Sequence, residues 1–162
     1  MPNVYMDNNA TTKVAPEVIE AMQPFFEELW GNPSSPHSFG GQVAGHVEHA
    51  REQVAALINA DPSEIVFTSG GSESDNMAIR GTVEAYPDKR HLVTSRVEHH
   101  AVLSPCRYLQ NKGYSLTEVR VDGKGQLDLD QLRKVLRNDT AICTIMWANN
   151  ETGTVFPMDQ IT

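Results

Sequence analysis

The chain has 162 residues, 40% of them hydrophobic and 21% charged, an ordinary globular balance that excludes disorder and suffices for a domain with a core. A net charge of −8 and a pI near 5.1 argue against a nucleic-acid or anionic-membrane partner, both of which call for clustered lysine and arginine. No apolar run reaches membrane-spanning length, and "MPNVYMDNN" has neither the basic start nor the apolar stretch of a signal peptide, so a cytoplasmic protein is expected.

In chain order, "APEVIEAMQPFFEELWG" places Val18, Met22, Phe25 and Leu29 on one helical face, with Pro16 near the start. Pro24 inside that pattern predicts a kink or a break. The turn-forming run "GNPSSPHSFGG" predicts a loop. A second helix follows, with Val43, Val47, Ala50, Val54 and Leu57 as its apolar stripe and Gln42, His46, His49 and Gln53 as a solvated one. Strands are expected in "EIVFTS", "HLVTS", "SLTEVRV" and "AICTIMWA", beginning near residues 65, 91, 116 and 141. Helical segments lie between them at roughly 25 residues per unit, the period of right-handed βαβ crossovers, so the fold class is α/β with parallel strands. "LDLDQLRKVL" supports the last crossover: Asp128 and Gln131 have capping-box spacing, and Leu129, Leu132 and Leu136 supply a buried stripe. The two cysteines, Cys106 and Cys143, form no close pair or C-x-x-C motif, and both read as small structural residues, Cys143 buried within its apolar run.

Ligands of an open parallel sheet gather at the carboxyl ends of its strands, and three of the four expected strands end in a polar cluster. "SGGSES" follows the first. Its glycines allow close backbone approach, and Ser72 offers a hydroxyl at a helix start, which suits a phosphate or an ordinary capped turn. It has neither the Gly-Lys-Ser/Thr of a nucleotide loop nor the dinucleotide spacing. "VEHH" follows the second and suits acid–base work or stacking on a planar ligand. Metal binding lacks support, because adjacent histidines point apart and no partner motif appears. "ANNETG" follows the fourth, either a plain loop or a neutral donor to an oxygen on a bound ring. The third strand is followed only by "DGKGQ", a plain turn. Together the three clusters describe a site for a planar, phosphorylated, polar-ringed molecule, which fits pyridoxal phosphate better than a nucleotide.

"VYMDNNATT", "GNPSSPHSFG", "EIVFTSGGSESDN", "VEHHAVLS" and "MWANNETGT" resemble, in order and spacing, the N-terminal part of cysteine desulfurases, and "MWANNETGTVFP" is closer to their nitrogen-fixation (NifS) branch than to the housekeeping (IscS) one. The resemblance implies the large domain of a fold-type I pyridoxal-phosphate enzyme, a three-layer α-β-α arrangement with a mainly parallel sheet, here in part. Residues 1–15 would join a small domain, and residues 16–162 would form the N-terminal portion of the large one. It implies that Gly71 and Ser72 contact the cofactor phosphate, with serine in place of a common threonine. It further implies that His99 stacks on the pyridine ring and helps move protons, and that Asn150 hydrogen-bonds the phenolic oxygen. His100 receives no role.

The resemblance also implies L-cysteine as substrate, L-alanine and an enzyme persulfide as products, a homodimer, and an iron–sulfur scaffold protein as sulfur acceptor. No residue of the chain matches the family's Schiff-base lysine, its pyridinium-pairing aspartate or its nucleophilic cysteine. The segment alone is therefore expected to be inactive, with an orphan strand at 65–69 and exposed sheet edges. Two alternatives stand beside this reading: a non-catalytic module that pairs with a full-length subunit, and another fold-type I enzyme such as a selenocysteine lyase.

Overall fold

Three short segments rich in β-branched residues pair into one parallel sheet: β1 (His91–Ser95), β2 (Ser115–Val119) and β3 (Thr140–Thr144), in the order β2-β1-β3. The computed structural model describes residues 3–161, leaving Met1, Pro2 and Thr162 outside, and it groups them into two units that meet in sequence at Phe67 and Thr68.

In the second unit, β1 is central and every one of its residues is buried. Leu92 packs with Ile79 and Val83 of α4 (Gly71–Ala85) and with Val102, Cys106 and Leu109 of α5 (His100–Asn111). Val93, one residue on, faces the opposite side, where Val119, Leu127, Phe156 and Leu132 of α6 (Leu129–Val135) form a second core. This period-2 alternation makes the three layers. Inside the sheet, both ring nitrogens of His91 lie 2.9 Å from threonine hydroxyls on the flanking strands, Thr140 and Thr117. The buried imidazole thus ties all three strands together.

Asp128 caps α6 by accepting from the Gln131 N–H at 2.8 Å. The reciprocal half of the box is absent, because Gln131 Oε1 instead accepts from the Arg120 N–H beyond β2. Leu132 of the expected stripe is buried, whereas Leu136 is largely exposed just past the helix. The "DGKGQ" turn is held by Asp122, whose carboxylate accepts from the N–H groups of Lys124 and Gln126. Cys106 is fully buried, and desolvation, reinforced by the charges of Glu98 and Glu118, pushes its thiol up to about 11. Cys143 departs from expectation. It lies on an edge strand and is exposed, although the protein around it still raises its thiol pKa by desolvation.

The first unit contains α1 (Pro16–Met22), α2 (Pro24–Glu27) and α3 (Ser38–Ile58). The chain breaks at Pro24, which starts α2. The apolar face of these short helices stays largely uncovered: Val18, Met22 and Phe25 are all exposed. In α3, Val43 is buried, but Val54 and Leu57 of the expected stripe are exposed and Ala55 is buried instead. The buried line follows Val43, Val47, Arg51 and Ala55 at i, i+4 spacing, so it drifts off the apolar pattern at Arg51. Arg51 is held there by the Ile65 carbonyl and by the ring of Phe67, 5.0 Å away. α3 ends on Asn59 in the left-handed conformation (φ 56°).

The strand expected at 65–69 is not formed among the described residues. After the short 3-10 turn Pro62–Glu64 the backbone is extended but pairs with no strand, and Val66 is exposed. A strand is defined by its ladder, and local β-propensity cannot supply the partner.

Candidate functional site

Among the described residues, the outgoing connections of β1 and β3 leave the sheet on opposite sides. After β1 the chain enters α5, in the layer shared with α4, while after β3 it turns back so that Phe156 joins the Val93 side. Adjacent parallel strands with diverging connections open a crevice at their carboxyl ends, the switch point where ligands of doubly wound sheets bind. All four residues expected at the site lie in the second unit, His99 and Asn150 in the connections that leave β1 and β3 and Gly71 and Ser72 at the start of α4.

Gly71 and Ser72 open α4, and no side chain caps that helix. The N–H groups of Gly71, Ser72 and Glu73 bond to no backbone carbonyl among the described residues, and Ser72 Oγ is likewise uncommitted. A Cβ placed on Gly70 or Gly71 would meet nothing within 4 Å, so the space above the turn is open. Free N–H groups at the positive end of a 15-residue helix, with a hydroxyl beside them, make a seat for an anion. Glu73, in the same turn, is drawn back onto Ser69, accepting from its N–H at 2.7 Å and its hydroxyl at 2.6 Å. The bond from the Ser69 side chain, and then that from its backbone, holds the Glu73 carboxyl below its ordinary range.

His99 is the N-cap of α5, where Nδ1 accepts from the Ala101 N–H at 3.1 Å. An accepting Nδ1 places the proton of the neutral ring on Nε2, which leaves an N–H on the exposed side. His100 begins the helix with its ring centroid 6.4 Å from that of His99, also exposed. Asn150 is exposed in the loop after β3, and its Nδ2 lies 3.1 Å from Glu151 Oε1.

The residues that bring these loops together are the ones just before them. Glu98 is 7% exposed, and its Oε1 accepts from the Ser95 hydroxyl at 2.8 Å and from the Met146 N–H at 2.7 Å. Asn149 is also buried. Its Nδ2 donates to the Val97 carbonyl at 3.0 Å, while its Oδ1 accepts from the N–H groups of Glu151 and Thr152 and from the Thr152 hydroxyl. Two bonds running in opposite directions thus join residues 97–98 to residues 146–149. Burial pushes the Glu98 carboxyl up, its two hydrogen bonds draw it back, and the charge of Asp75 raises it further.

Glu98 and Asn149 thus tie the segment that carries His99 to the loop that carries Asn150. Sequence reasoning missed Glu98 and Asn149. The available signal was two acid–amide residues, each preceding an expected contact residue at the end of a buried strand. A solvent-open groove of about 600 Å³ lined by Arg120, Asp122, Leu127, Asp128 and Arg133 lies beyond β2 and includes none of the four expected residues. Its charges are mixed, and Arg120 pairs with Asp128 at 3.5 Å.

A parallel sheet whose neighbouring strands send their connections to opposite sides defines a doubly wound α/β protein. Residues 4–162 match the aminotransferase class-V family, and the chain belongs to it. It is 58% identical over 161 residues to the cysteine desulfurase of Trichormus azollae, a match that covers 99% of this chain and 40% of the relative. It is 50% identical to the cysteine desulfurase NifS of Azotobacter vinelandii, covering 99% of this chain and 40% of that protein. A solved NifS-like protein superimposes with a TM-score of 0.93 at 43% identity, over 98% of this chain and 44% of its own. The chain thus spans 40% of the length of the curated relatives it matches.

Proposed function

We propose that this chain supplies the phosphate seat, the ring-stacking imidazole and the ring-oxygen donor of a pyridoxal-phosphate-dependent cysteine desulfurase that takes sulfur from L-cysteine. The observation that carries the reading is the uncapped start of α4: three N–H groups and the Ser72 hydroxyl converge on open space with no competing side chain. That donor set fits a phosphate monoester. The names of the relatives, cysteine desulfurases at 50% and 58% identity, supply the substrate class.

Pyridoxal phosphate, when bound, supplies the electron sink that weakens bonds at the substrate's α-carbon. The work of this chain is to hold it. Gly71 and Ser72 seat the phosphate, a remote handle that fixes the ring's position. His99, braced through Nδ1, presents a flat ring and the Nε2 proton toward the site. Asn150, whose amide here donates to Glu151 Oε1, would turn that amide to the ring oxygen. Homodimerisation, sulfur delivery to an iron–sulfur scaffold protein and a cytoplasmic location belong to the same proposal. So does the division into residues 1–15 of a small domain and 16–162 of a large one, of which Met1, Pro2 and Thr162 lie outside the described residues.

The test uses the protein expressed from its intact gene, incubated with L-cysteine. Equimolar alanine and enzyme-bound persulfide are expected. Release of alanine from selenocysteine with none from cysteine rejects the desulfurase reading in favour of a lyase. The 162-residue segment alone is expected to turn over no cysteine, and measurable alanine from it would overturn that part.

A further inference from the structure

We propose that Glu98 is a positioning residue: its buried carboxylate clamps the β1–α5 turn to the loop after β3 and so sets the spacing between His99 and Asn150. The inference rests on the functional reading above for what those two residues contact, but the clamp itself is a property of this chain.

Four observations carry it. Glu98 is a charged side chain 93% removed from solvent, and residues of this kind are rarely buried unless bonded. Its Oε1 bonds in two directions. One is local, to the Ser95 hydroxyl at the end of β1; the other reaches 48 residues along the chain, to the Met146 N–H. Beyond Thr144 the β1–β3 ladder has ended, so the Met146 N–H has no strand partner and the carboxylate takes that place. The second crosslink, Asn149 Nδ2 to the Val97 carbonyl, does the same in reverse for an acceptor beyond β1. The two bonds extend the β1–β3 register past the end of the sheet with side chains instead of backbone. They stop one residue short of each exposed group, His99 and Asn150.

One oxygen of Glu98 accepts two donors at 2.7 and 2.8 Å, short bonds of the charge-assisted kind. Hydrogen bonds of this type hold a catalytic pair to the tolerance that reaction geometry demands, where a misplacement of about 1 Å costs about 100-fold in rate. Arg96, His99 and His100, the charged or titratable neighbours on the same segment, are exposed, so Glu98 is the one buried ionisable side chain that ties it to the loop after β3, beside the Asn149–Val97 bond.

The experiment compares Glu98→Ala, Glu98→Gln and Ser95→Ala in the protein from the intact gene, with two readouts. The first is amide exchange of Met146 and of residues 149–156 in the cofactor-free protein. The second is affinity for pyridoxal phosphate, titrated by its visible absorbance. Glu98→Ala is expected to speed Met146 exchange at least about 10-fold and to weaken cofactor binding by about 10- to 100-fold, the range seen when an outer-shell partner of a bound group is lost. Glu98→Gln keeps an oxygen where Oε1 stood and is expected to restore both to within about 3-fold of wild type.

Ser95→Ala, which removes one donor and leaves the crosslink, is expected to fall between them and serves if Glu98→Ala does not fold. Unchanged Met146 exchange in Glu98→Ala overturns the clamp. So does wild-type cofactor affinity in that variant, or a Glu98→Gln protein as impaired as Glu98→Ala. If wild-type protein binds no pyridoxal phosphate while Glu98→Ala still loses Met146 protection, the functional reading falls and the clamp stands.

Discussion

Two adjacent asparagines separate structure from function, and substituting each tests the division. Asn149 is 8% exposed and its side chain makes four conventional bonds, at 3.0 Å to the Val97 carbonyl and at 3.0, 2.9 and 3.1 Å from the Glu151 N–H, the Thr152 N–H and the Thr152 hydroxyl. Each such bond contributes about 0.5–1.5 kcal/mol net. Glu151 and Thr152 are exposed and would recover water, so their share is at the low end, whereas the Val97 carbonyl is half-buried and would lose its partner outright. Asn149→Ala is therefore expected to destabilise the loop by about 2–3 kcal/mol, or about 30- to 150-fold in its opening equilibrium. The assay is native-state amide exchange at Gly153 and Phe156, which donate to the Asn149 and Trp147 carbonyls at 2.8 Å and do not touch the removed side chain. Asn150→Ala is expected to leave both rates within about 2-fold, the scale of an ordinary surface change, while weakening pyridoxal-phosphate binding. Equal effects of the two substitutions on exchange, or an Asn149→Ala effect within 2-fold of wild type, would refute the reasoning.

Leu92, wholly buried between α4, α5 and the sheet, is expected to cost about 2–5 kcal/mol on Leu92→Ala, seen as a lowered urea midpoint; a loss below about 1 kcal/mol would mean that β1 is not the centre of the core. His91 has its pKa lowered from the ordinary 6.5, chiefly by desolvation and then by the charge of Arg137, so its contribution is present above pH 6.5 and is lost as pH falls through the lowered value. Melting temperature is expected to fall more steeply below pH 6.5 in wild type than in His91→Gln, and parallel profiles would reject this. Glu98 has the opposite sign. Its raised pKa means that stability is fully present below 4.5 and declines as pH rises through the folded value, a decline that Glu98→Gln should abolish. Gly153 sits at φ +71°, so Gly153→Ala is expected to cost about 1–2 kcal/mol in the same loop-exchange assay.

The parts of the fold legible in the sequence are those where one period coincides with one packing surface. β1 was readable because "HLVTS" is short, centres on Leu-Val-Thr and recurs at the βαβ period, whereas α5 was expected only as a helical segment between strands, and its buried face of Val102, Cys106 and Leu109 comes from the structure. Where burial depends on a distant partner, pattern failed. Residues 65–69 have strand composition but no ladder, and Val18 and Met22 stay exposed although they share a face with Phe25, whose ring meets His46 edge-on at 5.3 Å. At the site, sequence supplied the edge and the residue types. It could not tell which member of "EHH" or "ANN" turns inward, because that follows from where the β1–β3 ladder stops.

That stopping point accounts for the composition of both clusters. Past Ser95 and Thr144 the strands diverge, and backbone groups that a ladder would satisfy are left facing one another across the crevice. Leaving the Met146 N–H or the Val97 carbonyl unbonded in a half-buried place costs about 1–3 kcal/mol each. A carboxylate and an amide solve this from opposite sides, Glu98 as acceptor and Asn149 as donor. Each then occupies the inward position of its segment, so the next residue begins a new direction: His99 caps α5, and Asn150 enters the turn that Asn149 caps. The exposed imidazole and amide are thus placed by their buried neighbours. Changing Glu98 or Asn149 should therefore disturb the geometry of both contact residues, whereas changing His99 or Asn150 should leave the clamp intact.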